Sequence, residues 1–338
     1  MKIYTGIDLH SNNSYVALIE EEEKVLYKKR LPNDLIGLLE ILKPYQDVIE
    51  GVVVESTYNW YWLVDGLQEA GYKVHLANTG ANEQYSGIKH TNDESDAIWL
   101  ANLLRLKTLR TGHIYPKEKR GTRELLRKRL LLVRQQTACL LSIQGMITRY
   151  ENVKVTASNI KTLNTKKILS LVKDEDVRFA AQSQLKILSC IMEQVDILER
   201  QIQKKIKSDQ QFILLKSVPG IGPILAMTIL LETGDINRFE SVGNYSSYCR
   251  CVESKRVSNE KKKGMNNRKN GNAYLCWAFI EASNHAINQY PTIKKYYQRK
   301  LNKTMRVVAL KTIANKLSKA CYFMLRDKVE FDMKKLFM

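Results

Sequence analysis

A mixed-sheet α/β domain followed by a long, mostly helical region is the architecture that this 338-residue chain specifies. Two patterns say so. The first hundred residues open with hairpin-type strands and then alternate helix with strand, whereas from Asp93 onward the periodicity is helical. A third observation narrows the class: no apolar run reaches the roughly 18 residues that span a bilayer. The most apolar late stretch, 307–325, is broken by Lys311, Lys316 and Lys319. Met1-Lys2 runs straight into a strand, so no secretory leader is expected. Six scattered cysteines without a C-x-x-C pair read as reduced thiols of a cytoplasmic protein.

Residues 2–9 form a short β-type run that carries Asp8 near its end. Two more strands, 14–20 and 24–30, flank the acidic turn Glu21-Glu22-Glu23, as a hairpin requires. Helical spacing covers 35–42. Gly51-Val52-Val53-Val54 is a buried-strand run that stops at Glu55, and a helix over 58–70 precedes a strand over 72–77. Beyond Asp93, the helix over 121–147 interleaves Leu125, Leu126, Val133, Leu140 and Met146 with Arg and Lys. The helix over 176–208 places Leu188, Ile191, Val195, Leu198 and Ile202 at alternating spacings of 3 and 4. That is a coiled-coil seam of barely two heptads, open either to a dimer contact or to packing within one chain. A glycine-proline turn at 217–223 leads into an apolar helix over 224–232. A Lys/Asn/Ser-rich loop over 253–272 follows, then helices over 273–289 and 304–325. The expected domains are 1–120, a helical/coiled-coil middle at 121–210, and a mostly helical C-terminal domain at 211–338.

The net charge of +19 is unevenly spread. Residues 241–338 hold 21 Lys/Arg against 6 Asp/Glu, and residues 101–150 hold 12 against 2, so the rest of the chain is slightly acidic. Solubility alone does not need two basic blocks. A polyanion lying across particular surfaces does, and nucleic acid is the expected partner rather than a membrane, for which no amphipathic anchor is visible.

Three constellations could carry chemistry. Asp8 and Glu55 each sit at the end of a predicted strand, where an α/β sheet presents groups to a crevice. Asp93 and Asp96, i and i+3 at a helix start, share one face. Four such acids suit Mg²⁺ or Mn²⁺, hard cations that take oxygen ligands and assist phosphoryl transfer. Taken singly, Asp93 reads as a helix cap and Asp8 as a strand end. In the turn at 217–223, Gly220 and Gly222 let backbone N–H groups approach a phosphate in helix-hairpin-helix style, although a plain helix–helix turn looks the same. The loop Glu253-Ser254-Lys255-Arg256-Val257-Ser258-Asn259-Glu260-Lys261-Lys262-Lys263-Gly264 sets serines among cations. Read alone, such a serine is a phosphate contact more often than a nucleophile. Arg268 and Lys269 extend the basic surface. Tyr245, Tyr248 and Tyr274 suit a core better than base stacking, and His285 reads as structural.

In that order and separation, the pieces resemble, end to end, the Piv-type DEDD transposases of the insertion-sequence one-ten group, which are RNA-guided recombinases. The matching residues are Gly6-Ile7-Asp8-Leu9-His10, Val54-Glu55-Ser56-Thr57 and Asp93-Glu94-Ser95-Asp96-Ala97. Further on they are Val218-Pro219-Gly220-Ile221-Gly222-Pro223, Thr233-Gly234-Asp235-Ile236-Asn237-Arg238-Phe239, Tyr248, Ser254-x-x-x-Ser258 and Lys269-Asn270-Gly271-Asn272. The resemblance implies a RuvC-like, ribonuclease-H-type N-terminal domain in which Asp8, Glu55, Asp93 and Asp96 hold divalent metal. It implies that Ser258, or failing it Ser254, attacks a DNA phosphodiester to give a phosphoserine intermediate. It also implies a structured noncoding guide RNA that pairs with donor and target DNA, and half-sites drawn from different protomers of a homo-oligomer. Where the family has glycine after the serine this chain has Asn259, where it has proline before Ser254 this chain has Glu253, and its Thr-Asp becomes Asn92-Asp93. Two other functions fit the same residues: a metal-only nuclease or resolvase in which Ser258 merely binds phosphate, and an inactive nucleic-acid-binding derivative.

Overall fold

The structure, a computed structural model, describes residues 1–82, 92–162, 165–205, 209–254, 256–264 and 270–337, without the side chains of 256, 257 and 262. They fall into two compact units, Met1–Lys117 and Glu118–Met338.

The first unit is built on five strands: β1 (Ile3–Leu9), β2 (Asn13–Glu20), β3 (Val25–Pro32), β4 (Ile49–Glu55) and β5 (Val74–Ala77). Their order is β3-β2-β1-β4-β5. The β1–β2 and β2–β3 pairs are antiparallel, and β1–β4 and β4–β5 are parallel. Helices α1 (Leu35–Leu42) and α2 (Tyr61–Glu69) cover one face, where Ile3, Ile7, Val52 and Val54 pack with Leu38, Leu63 and Leu67. Helix α3 (Asp93–Arg105) covers the other, against Tyr4, Ile19 and Val53. Because side chains alternate along a strand, Tyr4, Gly6 and Asp8 share the α3 face of β1, and Val53 and Glu55 share that face of β4. Gly6 makes the close approach possible: a Cβ there would lie 2.0 Å from the Ala97 carbonyl oxygen of α3.

Among the described residues, the second unit is helical apart from one hairpin. Its helices are α4 (Lys117–Glu151, which starts at the unit boundary), α5 (Ala157–Thr162), α6 (Thr165–Leu169), α7 (Glu175–Lys204), α8 (Gln210–Lys216), α9 (Pro223–Thr233) and α10 (Val242–Tyr248). The strands β6 (Arg256–Ser258) and β7 (Lys261–Gly264) follow. The chain ends with α11 (Ala273–Gln289), α12 (Pro291–Leu301), α13 (Arg306–Asp327) and α14 (Met333–Phe337). One core joins Leu140, Ile143 and Ile147 of α4 to Leu185 and Leu188 of α7. A second gathers α8 to α13 around Tyr245, Phe279 and Leu317 and takes in Ile202. Of the seam on α7, Leu188, Val195 and Ile202 are buried by their own chain, whereas Ile191 and Leu198 are only half-buried. No helix of the described residues is long and apolar enough to cross a membrane.

The segment 253–272, expected to be a loop, contains the β6–β7 hairpin. Asn259 (φ 51°) and Glu260 (φ 59°) both take left-handed conformations, as a two-residue type I′ turn requires. The basic run hides this from a periodicity reading, since it has no apolar alternation and the turn is Asn-Glu rather than Asn-Gly.

Candidate active site

Asp8 is buried on the central strand, and its carboxylate shares a hydrogen bond with Glu55 at the end of the neighbouring parallel strand. Across the α3 face, His10 Nε2 lies 3.2 Å from Asp8 Oδ2 and 3.3 Å from Asp93 Oδ1. Ligand atoms of Asp8, His10 and Asp93 all fall within 4.8 Å of one another. The Asp96 charge acts on both Asp8 and Glu55. Strand-end acids and the start of α3, remote from one another in sequence, are therefore close enough to interact.

Local structure explains the meeting. Asn92, not Asp93, caps α3: its side chain accepts from Ser95 N at 2.8 Å, and Ser95 Oγ accepts from Asn92 N at 2.9 Å. This capping box leaves Asp93 and Asp96 free of the cap role and sets them in the first turn, where the helix dipole favours negative charge. From β3, Arg30 Nη2 donates to Asp93 Oδ2 at 2.5 Å, and Lys28 donates to Glu94, which also accepts from Tyr15 OH at 2.7 Å. Asn59 Nδ2 donates to the His10 carbonyl oxygen at 3.1 Å.

The electrostatics are those of crowded acids. Burial pushes the Asp8 carboxyl above its ordinary value, Asp96 and Asp93 add to this, and the Glu55 hydrogen bond and His10 oppose it. Burial, the Asp8 hydrogen bond and the Asp8 charge push Glu55 up to about 8. Removing such carboxylates from water while holding them together is costly unless a proton or cation neutralises them. A divalent ion fits this donor set: the carboxylates supply hard oxygen ligands, and the His10 imidazole supplies a nitrogen to the same point.

A pH-dependent prediction follows. With its folded pKa above the unfolded value, Glu55 contributes stability that is present below about pH 4.5 and is lost as pH rises through about 8. A bound cation competes with that proton, so the melting-temperature gain from Mg²⁺ over EDTA should widen between pH 5 and 9. A gain that stays constant over this range would mean that Glu55 is not part of the ion's site.

In the second unit Ser258 ends β6, exposed and paired in register with Lys261. Lys261 and Lys263 are exposed too, whereas Ser254 is half-buried. Lys255, Arg268 and Lys269 lie outside the described residues, as do the side chains of Arg256 and Lys262. In the glycine-proline turn, both glycines border a cleft, and one of them also meets a helix. Gly220 (φ 79°) faces α11, where a Cβ would sit 2.1 Å from the Ala282 carbonyl oxygen, so helix packing already demands glycine there. Gly222 is open and precedes α9 without a side-chain cap. It borders a cleft of about 1000 Å³ that is also lined by Arg129, Arg134, Lys216, Trp277 and His285. Tyr245 is fully buried against Phe239, Phe279 and Tyr322, and Tyr274 lies beneath Arg127. All six cysteines are free thiols.

His10 and Arg30 were not singled out from the sequence. His10 lies one residue past the end of β1, so strand periodicity does not place it. Arg30 reaches Asp93 only through the β2–β3 register, which pairs it with Tyr15.

Two family models match the chain: residues 5–152 fit a DEDD transposase domain, and residues 213–298 fit the description "Transposase IS116/IS110/IS902 family". The chain belongs to the IS116/IS110/IS902 transposase family. A protein named "Probable family 20 transposase" from Pseudomonas aeruginosa is 22% identical over 95% of this chain and 96% of its own length. The "Transposase for insertion sequence element IS1111A" of Coxiella burnetii is 22% identical over 80% of this chain and 74% of its own. The IS110 protein of Streptomyces coelicolor is 28% identical over 41% and 35%. Membership of this transposase family implies DNA binding, cleavage and rejoining. The mixed five-stranded sheet with a mostly helical remainder accords with a ribonuclease-H-like DEDD domain.

Proposed function

We propose that this transposase recombines DNA in the cytoplasm with two incomplete sites, an acid cluster and a serine hairpin, brought together on DNA by a homo-oligomer. Asp8, His10 and Asp93 offer ligand atoms within 4.8 Å of one another, Glu55 is hydrogen-bonded to Asp8, and the Asp96 charge acts on both; this grouping is the observation that supports the reading. These acids hold Mg²⁺ or Mn²⁺, and the ion's chemistry is to neutralise the scissile phosphate and lower the barrier to oxygen attack. Ser258 Oγ forms a bond to phosphorus as the bond to the departing DNA oxygen breaks. A carboxylate of another protomer takes the serine proton, and the departing oxygen gains one. Lys261 and Lys263, together with Lys255, Arg256, Lys262, Arg268 and Lys269, stabilise the phosphate charge and hold the backbone, as do Gly222 and the cleft beside it. A structured noncoding guide RNA selects the sequences, and the basic blocks hold RNA and DNA with an affinity that falls steeply as salt rises.

The test uses the full chain with the RNA and the DNA ends of its own element. Wild-type protein should give a denaturation-resistant protein–DNA adduct. Ser258→Ala should bind nucleic acid but form no adduct, Ser254→Ala should retain it, and Asp8→Asn should lose cleavage. Strand transfer retained by Ser258→Ala would reject the serine role and leave a metal-only nuclease.

A further inference from the structure

Beside the acid cluster stands an aromatic group to which the chemistry above gives no task. Strand β4 ends at Glu55, and the next residues form a tied turn. Thr57 N donates to the Glu55 carbonyl oxygen at 3.0 Å, Thr57 Oγ1 donates to Asn59 Oδ1 at 2.9 Å, and Asn59 Nδ2 donates to the His10 carbonyl oxygen at 3.1 Å. Tyr58, between the two tied residues, is 83% exposed. Trp60 roots the turn in the core and meets the ring of Tyr61 edge-on at 4.4 Å. The segment that displays Tyr58 is thus fastened to His10 and Glu55 by hydrogen bonds.

Single exposed aromatics are common and need no explanation. The position of this one does. Three residues of chain span at most about 10 Å, so Tyr58 stands within that distance of Glu55 along the backbone. A phosphodiester seated on the acids brings its own flanking nucleosides into this space. We propose that Tyr58 is a stacking platform for an unpaired nucleobase next to the scissile phosphate. Only an unpaired or flipped-out base offers a free face, since neighbours in a duplex cover both. Stacking on an aromatic ring accepts any base, which suits a site whose sequence choice is made by RNA pairing. The proposal rests on the reading of the acids as the site that holds DNA phosphate.

The test is binding of a single-stranded DNA 12-mer carrying 2-aminopurine to the full chain, with and without Ca²⁺, read by fluorescence quenching. Because the basic surfaces bind DNA without the ion, the readout is the Ca²⁺-dependent part of the quench and of the affinity. Tyr58→Ala should remove that quench and weaken Ca²⁺-dependent binding about ten-fold. Tyr58→Phe should keep both, because the ring and not the hydroxyl does the stacking, and binding of the matching duplex should be the same for all three proteins. Asp8→Asn should abolish the Ca²⁺-dependent part altogether. If Asp8→Asn leaves it intact, the acids are not the phosphate site and the underlying reading fails. If Asp8→Asn abolishes it and Tyr58→Ala matches wild type, only the platform fails. A change in oligomeric state on Tyr58→Ala, with quenching unchanged, would assign the ring to a second copy of the chain and equally overturn the proposal.

Discussion

Gly6→Ala should destabilise the first unit by about 3 kcal/mol or more and abolish its response to divalent metal. The new Cβ would lie 2.0 Å from Ala97 O and 2.8 Å from Ala101 N. Both are backbone atoms of α3 and cannot rotate aside, so the whole helix must lift from β1. Asp93 and Asp96 ride on the first turn of that helix, whereas Asp8 is anchored in the sheet. One methyl group thus separates two pairs of acids without touching any of them. Thermal and denaturant melts in EDTA and in Mg²⁺ would read both effects. Gly121→Ala is the control: it lies within α4 with nothing within 4 Å of the added Cβ, so it should be neutral or stabilising by about 0.5–1 kcal/mol. A Gly6→Ala protein that melts with the wild type and keeps its Mg²⁺ gain would show that α3 does not position the acids.

The sequence made the sheet and the acids legible for the same reason. A half-buried strand has period two, so Asp8 and Glu55 at strand ends announce a face. A helix start has period 3.6, so Asp93 and Asp96 announce another. Groups whose roles depend on register across the fold left no such mark. Arg30 meets Asp93 from β3, which is paired to β2 and so lies two strands from β1, and His10 bridges Asp8 on β1 and Asp93 at the start of α3. Asn92 took the capping role assigned to Asp93 because its short amide accepts from Ser95 N just as a carboxylate would. In the second unit, Gly220 lines the cleft beside Gly222, and the space its missing side chain leaves is filled by α11. A glycine in a turn says that something comes close, and tertiary structure decides what. The seam on α7 was similarly ambiguous, since heptad spacing is the same whether α4 or a second chain fills it.

Glu232→Gln should be among the most destabilising substitutions in the second unit. From the apolar helix α9 this carboxylate, only 2% exposed, accepts from Arg127 Nε at 2.7 Å, Arg127 Nη2 at 2.9 Å, Arg123 Nε at 3.1 Å and Asn272 Nδ2 at 2.7 Å. Burial pushes its pKa up, but the Arg127 hydrogen bonds, the charges of Arg123 and Arg127 and the Asn272 amide outweigh that and bring it below the usual glutamate value. Removing the charge takes the anionic partner away from two half-buried guanidinium groups, at a cost of about 3–5 kcal/mol. The pH dependence has a definite sign. A depressed folded pKa contributes stability that is present above the unfolded value of about 4.5 and is lost as pH falls through the folded one. Wild-type stability should therefore drop on acidification below about pH 4.5, and Glu232→Gln should flatten that drop. At the exposed Arg326–Asp327 pair, Asp327→Asn should change little. The consequence reaches the serine hairpin, because Asn272 also donates its N–H to the Tyr248 carbonyl oxygen at 2.6 Å, and Arg250 Nη2 donates to the Gly271 carbonyl oxygen at 2.9 Å. Those bonds join the two ends of the segment that carries Ser258, so limited proteolysis within 253–272 should quicken in Glu232→Gln at temperatures where α11 remains folded. Denaturant melts and an acid slope indistinguishable from wild type would show that the arginines find other partners and that the buried carboxylate does not hold this stem.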